Sequence, residues 1–405
     1  MTLHTRKLRP PTAPVTRGPA YVRQGNEWAI YQHLLSLAPA SSPQLAESTG
    51  LSKVTVSAAL GNLERLGLVE QTGVREGNAG RSPRLYAPRA DAAYVLAIDV
   101  GAEWIRGALA DLTGHVVLRR EERSSPQASQ LIAKITDIAR KMREERGIQR
   151  EDVLATVLGS PGVFDSKTER LRLAPNLPDW EAADLVASLR TALGHDTIFE
   201  NDINLAALGE QAHGVGHGVD NFVFMSIGTG IGLGIVADGK LHRGAHGFAG
   251  EIAVLRPAPV PANVDAGSDP SDDVFERSAA AKGIVAFARR SGMAVETAEE
   301  VFLKAQEGDK RALASVAEES RQLAWGLASI IPVLDPALVV LGGGIGHSAS
   351  MMLPAIREHL AAWLPIPIPD FAISSTGTDA VLHGAIVQGV ARARVRAFER
   401  IGYDA

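Results

Sequence analysis

Glu200-Asn201-Asp202-Ile203-Asn204 gathers two carboxylates and two amides into five residues. The chain before it, Thr197-Ile198-Phe199, is β-branched and aromatic, and the chain after it, Leu205-Ala206-Ala207-Leu208, favours helix. The polar cluster therefore falls where a strand ends and a helix begins. Two uses follow for a carboxylate there. It can cap the free amides of the first helical turn, in which case Asp202 is an N-cap and nothing more. It can also face a ligand cleft at the carboxyl end of a sheet. Glycine-rich stretches on both sides favour the cleft: Asp99-Val100-Gly101 upstream, Gly228-Thr229-Gly230-Ile231-Gly232-Leu233-Gly234 and Gly342-Gly343-Gly344 downstream. One such turn alone means little, because hairpins use glycine for positive φ.

The elements that must position this cluster fit a chain of 405 residues, long enough for two or three domains. At 45% hydrophobic and 21% charged residues it reads as an ordinary soluble protein. No run of eighteen apolar residues and no apolar leader is present, so a cytoplasmic location without a membrane partner is expected. With no cysteine, disulfides, thiolate metal sites and cysteine nucleophiles are excluded. The net charge of -5 hides a division: residues 1–90 hold eleven Lys and Arg against five Asp and Glu, the rest thirty against forty-one. A basic end on an acidic body implies that this end meets a polyanion.

Residues 1–21 carry four prolines, Arg6, Lys7, Arg9 and Arg17 and no acid, and read as a disordered basic tail. Residues 22–90 read as a winged helix-turn-helix. A helix from Asn26, with Trp28, Ile30, Leu34, Leu35 and Leu37 inward, ends at Ala38-Pro39. Ser41-Ser42-Pro43 opens a second helix, Gln44 to Thr49, that stops at Gly50. Ser52 caps a third with Val54, Leu60, Leu63 and Leu66 inward and Lys53, Thr55, Ser57 and Asn62 outward, toward DNA. Leu68 to Gly73 and Gly77 to Tyr86 then form a wing with Arg81 and Arg84 near its tip, suited to a narrow minor groove. The alternative is a three-helix module for protein contacts. The order of elements and the charge of the segment favour double-stranded DNA.

From residue 91 to 405, strands and helices alternate. Strands are expected at Tyr94 to Gly101, Trp104 to Ala110, Val153 to Gly159, Phe222 to Ser226 and Ala337 to Leu341. Helices are expected at Gln322 to Leu334, Met351 to Leu364 and Ala380 to Phe398. An Asp-x-Gly hairpin, a Gly-Thr-Gly hairpin and a late Gly-Gly-Gly resemble, in that order, the two-lobe actin/hexokinase-like (ribonuclease H-like) ATPase fold. The overall class is α/β with an N-terminal winged helix-turn-helix. Pro175-Asn176-Leu177-Pro178-Asp179-Trp180, Glu200-Asn201-Asp202-Ile203-Asn204, Gly228 to Gly234 and Gly247-Phe248-Ala249-Gly250-Glu251-Ile252 resemble the motifs of the ROK family of repressors and sugar kinases, over essentially the whole chain.

That resemblance implies a sugar site. Asp202 matches the kinases' general base, Asn201 and Glu251 match sugar contacts, Asn176 matches an asparagine near the sugar, and Glu276 corresponds to a further sugar-contacting glutamate. The sequence departs from the kinases in three ways. Ala102 and Glu103 replace the Gly-Thr of the phosphate loop, which removes a hydroxyl donor and adds a repulsion of about 1–4 kcal/mol. Ala253-Val254 replace a Gly-His pair, so a histidine that would touch the sugar is missing. The cysteine-rich zinc loop is replaced by a Pro-, Ala- and Asp-rich stretch, Pro257 to Asp273, and His242 and His246 flank a turn rather than share a helix, so neither metal nor cofactor is expected.

The implied protein is a homo-oligomeric regulator, a dimer or tetramer, most simply a repressor of carbohydrate genes that senses a sugar and no longer phosphorylates it. An active sugar kinase with a DNA-binding appendage, and a regulator governed by a protein partner with a vestigial cleft, are the alternatives.

Overall fold

A computed structural model describes residues 19–74 (side chains from 22), 83–165, 167–173, 177, 180, 182, 184–194, 196–256, 275–346 and 348–400. The chain divides into two compact units, Met1–Ala93 with Arg394–Ala405, and Tyr94–Ala393. The expected boundary near residue 90 is close, but the end of the chain groups with its beginning. No helix among the described residues is long and apolar enough to cross a membrane.

The smaller unit runs α1 (Pro19–Leu37), β1 (Ala40–Ser41), α2 (Ser42–Thr49), α3 (Lys53–Arg65), β2 (Val69–Val74) and β3 (Arg84–Pro88). α1 starts seven residues before the expected Asn26, at a proline whose fixed φ suits a helix's first position. Ser41 and Gln44 form a reciprocal cap on α2, and Ser52 caps α3 by accepting from the Thr55 amide. β3 lies between β1 and β2, so the wing is a three-stranded sheet rather than a bare hairpin. The core is Ile30, Tyr31, Leu34, Leu45, Val56, Leu60 and Leu63. Phe398, from the last helix of the chain, completes it: its ring meets Trp28 at 4.9 Å and Tyr31 at 5.3 Å, both edge to face. Burial pushes the Tyr31 phenol up to about 12, against the opposing charge of Arg394.

In the larger unit, β4 (Tyr94–Val100), β5 (Trp104–Asp111), β6 (Val116–Arg123), α4 (Ala128–Arg146), β7 (Val153–Ser160), β8 (Val163–Asp165), β9 (Arg170–Arg172), α5 (Leu185–Leu193) and β10 (Ile198–Asn201) build the first lobe. Its sheet has the order β10-β7-β4-β5-β6. The hydrophobic face carrying Ile98, Ile105 and Leu109 packs with Ile135, Ile138 and Met142 of α4 and Leu189 of α5. α6 (Asp202–His213) follows β10 directly.

The second lobe contains β11 (Phe222–Ile227), β12 (Ile231–Ala237), β13 (Lys240–Leu241), α7 (Phe275–Ala279), α8 (Ala281–Arg290), α9 (Ala298–Gln306), α10 (Lys310–Leu334), β14 (Leu338–Gly342), α11 (Gly343–Gly346), α12 (Ala349–Trp363) and β15 (Asp370–Ile373). Here the sheet order is β13-β12-β11-β14-β15. Val223, Met225, Val339 and Leu341 pack with Phe275 and the apolar stripes of α8 to α12. Phe222, Phe224, Val236 and Val340 pack instead with Ala206 and Ala207 of α6.

The last helix, α13 (Ala380–Arg400), starts in the larger unit and ends in the smaller one. It lies tightly on α6: a Cβ on Gly384 would sit 1.8 Å from the Leu205 carbonyl oxygen, so only glycine fits. The loop leading into α13 is held by Glu210, fully buried near the end of α6. Its Oε1 accepts from the hydroxyls of Ser374 (2.6 Å) and Thr376 (2.5 Å) and from the amides of Ser375 and Thr376. Its Oε2 accepts from the Val215 amide at 2.9 Å.

Candidate functional site

At the β10–α6 junction the strand's alternation sends neighbouring side chains to opposite faces. Glu200 turns away from the main cleft: its Oε1 accepts from Asn204 Nδ2 at 2.9 Å and its Oε2 from Arg243 Nε at 2.6 Å. Asn201, not Asp202, is the N-cap of α6, since its Oδ1 accepts from the amides of Ile203 (2.9 Å) and Asn204 (3.1 Å). Its Nδ2 donates to the Gly162 carbonyl at 3.0 Å, tying the junction to the turn after β7. Asp202 is thereby the first helical residue, with Oδ1 also accepting from the Ile203 amide at 2.9 Å.

Asn201 and Asp202 line a cleft of about 880 Å³ that also takes in Glu251 and Glu276. Four of the five expected sugar contacts therefore share one cavity; Asn176 lies outside the described residues. The placement of Glu276, inferred from a diverged stretch, brings its carboxylate over Gly230, where a Cβ would meet Oε2 at 2.8 Å. Val254 lines the cleft where a histidine was missed in the sequence, and it is exposed.

Two residues that the sequence reading left unassigned stand here as well. Asp99 and Arg106 are direct cross-strand partners on β4 and β5, with Nη1 to Oδ2 at 3.4 Å. Arg106 also reaches Glu121 at 3.3 Å. The Asp-x-Gly hairpin was the available signal for Asp99; nothing local marked Arg106, because the pairing depends on register.

The electrostatics of the cleft are set by desolvation and crowding. Burial, and then the charge of Asp202, lift the Asp99 carboxyl to about 7 against the pull of Arg106. Burial lifts Asp202 to about 6 against the hydrogen bond from the Ile203 amide. Glu251 is raised by burial and then by Asp202 and Glu276. A carboxyl poised near neutrality at a cleft wall can hydrogen-bond a hydroxyl or accept its proton.

Gly228, Thr229, Gly343, Gly344, Gly377 and Thr378 line the rest of the cleft. Ala102 and Glu103 line it too, and Glu103 is well exposed, paired with Arg123 Nη1 at 3.6 Å. Arg123 in turn lies 4.0 Å over the Trp104 ring. A carboxylate held at this mouth opposes a triphosphate. His242 and His246 are both exposed on the segment after β13.

On the smaller unit, α3 departs from the expected pattern. Val54, expected inward, is 80% exposed, and Val56 takes the inward place with Ala59, Leu60 and Leu63. With the helix starting at Lys53, the inward stripe begins one residue before the second turn and excludes position 54. Asn62, expected to face DNA, is half-buried and donates from Nδ2 to Glu27 Oε1 of α1 at 2.8 Å, because a buried carboxylate there needs a donor. Thr55 is half-buried, with its hydroxyl bonded to that of Ser52 at 2.8 Å. Lys53 and Ser57 are exposed as expected, Ser57 with its hydroxyl 3.0 Å from that of Ser42. Arg84 is exposed at the start of β3, and Arg81 lies outside the described residues.

Comparison with known proteins divides the chain along the same lines. Residues 24–90 match the model of the sugar-specific transcriptional regulator TrmB, and residues 95–388 match that of the ROK family. The xylose repressor of Bacillus subtilis strain 168 is 27% identical over 345 residues, 84% of this chain and 88% of that protein. A glucokinase of Halalkalibacterium halodurans is 29% identical over 313 residues, 72% of this chain and 93% of that protein. Among solved structures, a ROK family transcriptional regulator, homolog of the E. coli MLC protein, superposes with a TM-score of 0.75 at 22% identity, over 94% of this chain and all of that one, which shows the shared fold. With a match to the ROK model over most of its length and a sugar-specific transcriptional regulator match in front of it, this chain belongs to the ROK family.

Proposed function

We propose that this protein is a sugar-responsive transcriptional repressor whose kinase-like body senses its ligand without phosphorylating it. The observation that carries the reading is the cleft itself. The sugar-handling side chains Asn201, Asp202, Glu251 and Glu276 converge on it, while a carboxylate, Glu103, stands in its phosphate turn. The TrmB match and the xylose repressor relative support the transcriptional half. The same relative makes xylose a first ligand to try.

On DNA, α3 presents Lys53, Val54 and Ser57 to the major groove, with Arg84 and Arg81 of the wing at the backbone or minor groove. Two copies of the module, on paired half-sites, require a dimer or a larger even oligomer. Apolar side chains left exposed in the second lobe are available to a second copy: Val333 on α10 is 78% exposed, and Trp363 and Ile366, at and just beyond the end of α12, are 38% and 39% exposed. Sugar in the cleft favours one closure state of the two lobes. α13, which contributes Ala380 and Val381 to the cleft and ends in the smaller unit, carries the change to DNA affinity. Linkage makes this reciprocal: DNA changes sugar affinity by the factor by which sugar changes DNA affinity.

The test is fluorescence anisotropy of DNA from upstream of the protein's own gene, at fixed salt, with and without xylose, glucose, amino sugars and sugar phosphates. Release by one sugar is the expected result. Equal affinity with every sugar would remove the sensing half and turn the search to a protein partner.

One observation favours an active kinase as a second reading: Asp202, lifted to about 6 at the cleft wall, has the poise of a general base. Sugar-dependent release of ADP from ATP and magnesium decides it. We expect none, because Glu103 repels the phosphates; turnover at rates near 1 s⁻¹ or above, the lower end for kinases, would establish the enzyme.

A further inference from the structure

Asn201 and Gly247 line two cavities, the cleft described above and a second one of about 440 Å³, within the size range of small-molecule pockets. The second cavity is walled by both lobes. The first lobe supplies the β8–β9 turn, Arg190 of α5 and the end of β10, and the second supplies Arg243 to Gly247, after β13. Gln388 of α13, whose amide oxygen is buried without a donor, adds a further side.

Its hydrogen bonding is unbalanced in one direction. Every oxygen of its two carboxylates already has a donor. Asp165 accepts from the Lys167 amide at 2.9 Å and the Thr168 hydroxyl at 2.8 Å. Glu200 accepts from the Asn201 amide at 3.1 Å and from Asn204 with one oxygen, and from Arg243 with the other. The donors are not used up. Arg243 spends only its Nε, and Arg190 spends Nη1 on Glu169 at 2.6 Å. Both terminal nitrogens of Arg243, Nη2 of Arg190, the Lys167 ammonium and the His246 ring have no acceptor among the described residues. Three fixed cations and a histidine stand here against two engaged carboxylates. In the larger cleft Arg106 faces six carboxylates among the described lining residues. Phe164 and Phe199, stacked at 5.3 Å, give the second cavity an apolar wall.

Such donors fit an anion with several acceptor oxygens. A phosphate ester brings three, with a charge of about -1.5 to -2. A guanidinium grips two of them at once, and the carbon skeleton can lie on the phenyl rings. We propose that this cavity is a second ligand site, which takes a small phosphate ester between Lys167, Arg190, Arg243 and His246. The site stands apart from the sugar-sensing reading, but its consequence rests on it. An ester that joins Arg243 of the second lobe to Arg190 and Lys167 of the first favours the closed arrangement, so a sugar that favours the same arrangement binds tighter in its presence.

Isothermal titration calorimetry of the full chain at fixed ionic strength in chloride tests the site. The probes are inorganic phosphate, glycerol 3-phosphate and glucose 6-phosphate, with glycerol and acetate as the neutral and carboxylate counterparts. At least one phosphate compound binds with a Kd of about 1 mM or tighter, and acetate and glycerol bind at least about tenfold more weakly. Lys167→Glu weakens that binding about tenfold or more, Lys167→Glu combined with His246→Glu abolishes it, and Asp202→Asn leaves it within about twofold. Lys167 and His246 are exposed, so these substitutions spare the core. No binding by any phosphate compound would overturn the proposal, as would binding that Lys167→Glu leaves unchanged. Loss of binding in Asp202→Asn would overturn it too, by placing the ester in the sugar cleft, and acetate binding as tightly as phosphate would overturn the ligand class. Sugar sensing is decided separately, by the effect of sugars on DNA affinity in the absence of phosphate.

Discussion

Asn201 both caps a helix and lines the cleft, and the first of these roles can be measured by substitution. Its Oδ1 accepts from the amides of Ile203 and Asn204, and its Nδ2 donates to the buried Gly162 carbonyl. Asn201→Ala removes all three bonds. Loss of the cap costs about 1 kcal/mol. Leaving the Gly162 carbonyl without its donor costs a further 1–3 kcal/mol or so. The sum is about 2–4 kcal/mol. Asn201→Ser keeps a side-chain oxygen that caps equally well but lacks the amide, so it loses only the second part, about 1–3 kcal/mol, and stays about 1 kcal/mol above the alanine variant. Urea unfolding followed by tryptophan fluorescence measures this, since Trp104, Trp180, Trp325 and Trp363 lie in the larger unit and Trp28 alone in the smaller. An alanine variant within about 0.5 kcal/mol of wild type would refute the capping argument, and so would serine and alanine variants of equal stability. The functional corollary is that Asn201→Ala confuses folding with binding, whereas Asp202→Asn keeps the acceptor for Ile203 and tests the cleft alone.

Lys53→Ala on α3 should weaken all DNA binding alike and lower the slope of log affinity against log salt by about 1. Val54→Ser should instead discriminate against the specific operator by about 1 kcal/mol or more while leaving that slope unchanged, as expected for an apolar contact to a thymine methyl; anisotropy over a salt series reads both. For pH, the folded-state pKa of Asp99 is raised to about 7, so the native state binds more protons than the unfolded one between the unfolded value, near 4, and 7. Its contribution to stability is therefore present below pH 4 or so and is lost as pH rises through about 7, on the order of a few kcal/mol. Asp99→Asn should flatten that part of the stability-pH curve, and an unchanged curve would contradict it. Ligand affinity should move in the opposite sense. It rises from about pH 5 to 7 as Asp202 ionises, and a flat titration would count against Asp202 as a ligand contact.

Much of this fold was legible because its signals are local. The change from Ile198-Phe199 to Leu205-Ala206-Ala207 marks the β10–α6 junction to within a residue or two, and the serines before α2 and α3 mark the turns of the smaller unit. Local signals also misled. Ser52 marks the start of α3 correctly, but position 54 lies two residues, about 200°, round the helix from Val56, where the inward stripe begins, so Val54 faces out. Gly232 and Gly234, which look like parts of a phosphate turn, make room for α6, since a Cβ on either would strike Ile203. What stayed out of reach depends on partners far along the chain. Asn62 is claimed by Glu27, Arg106 by the register of β4 and β5, and the loop at Ser374 to Thr376 by Glu210. The residues of the cleft were readable for a different reason: Asn201, Asp202 and Glu251 lie in short motifs that resemble those of the ROK family, while the acidity of the cleft as a whole emerges only when its walls are assembled.

The edge-to-face contacts of Phe398 with Trp28 and Tyr31 have a bearing on folding. Phe398 follows the whole of the larger unit in sequence, yet it fills the core of the smaller one beside Trp28 and Tyr31. Completing that core therefore waits on the closure of a long loop, and a chain cut within the larger unit keeps a smaller unit whose aromatic centre lacks one of its rings.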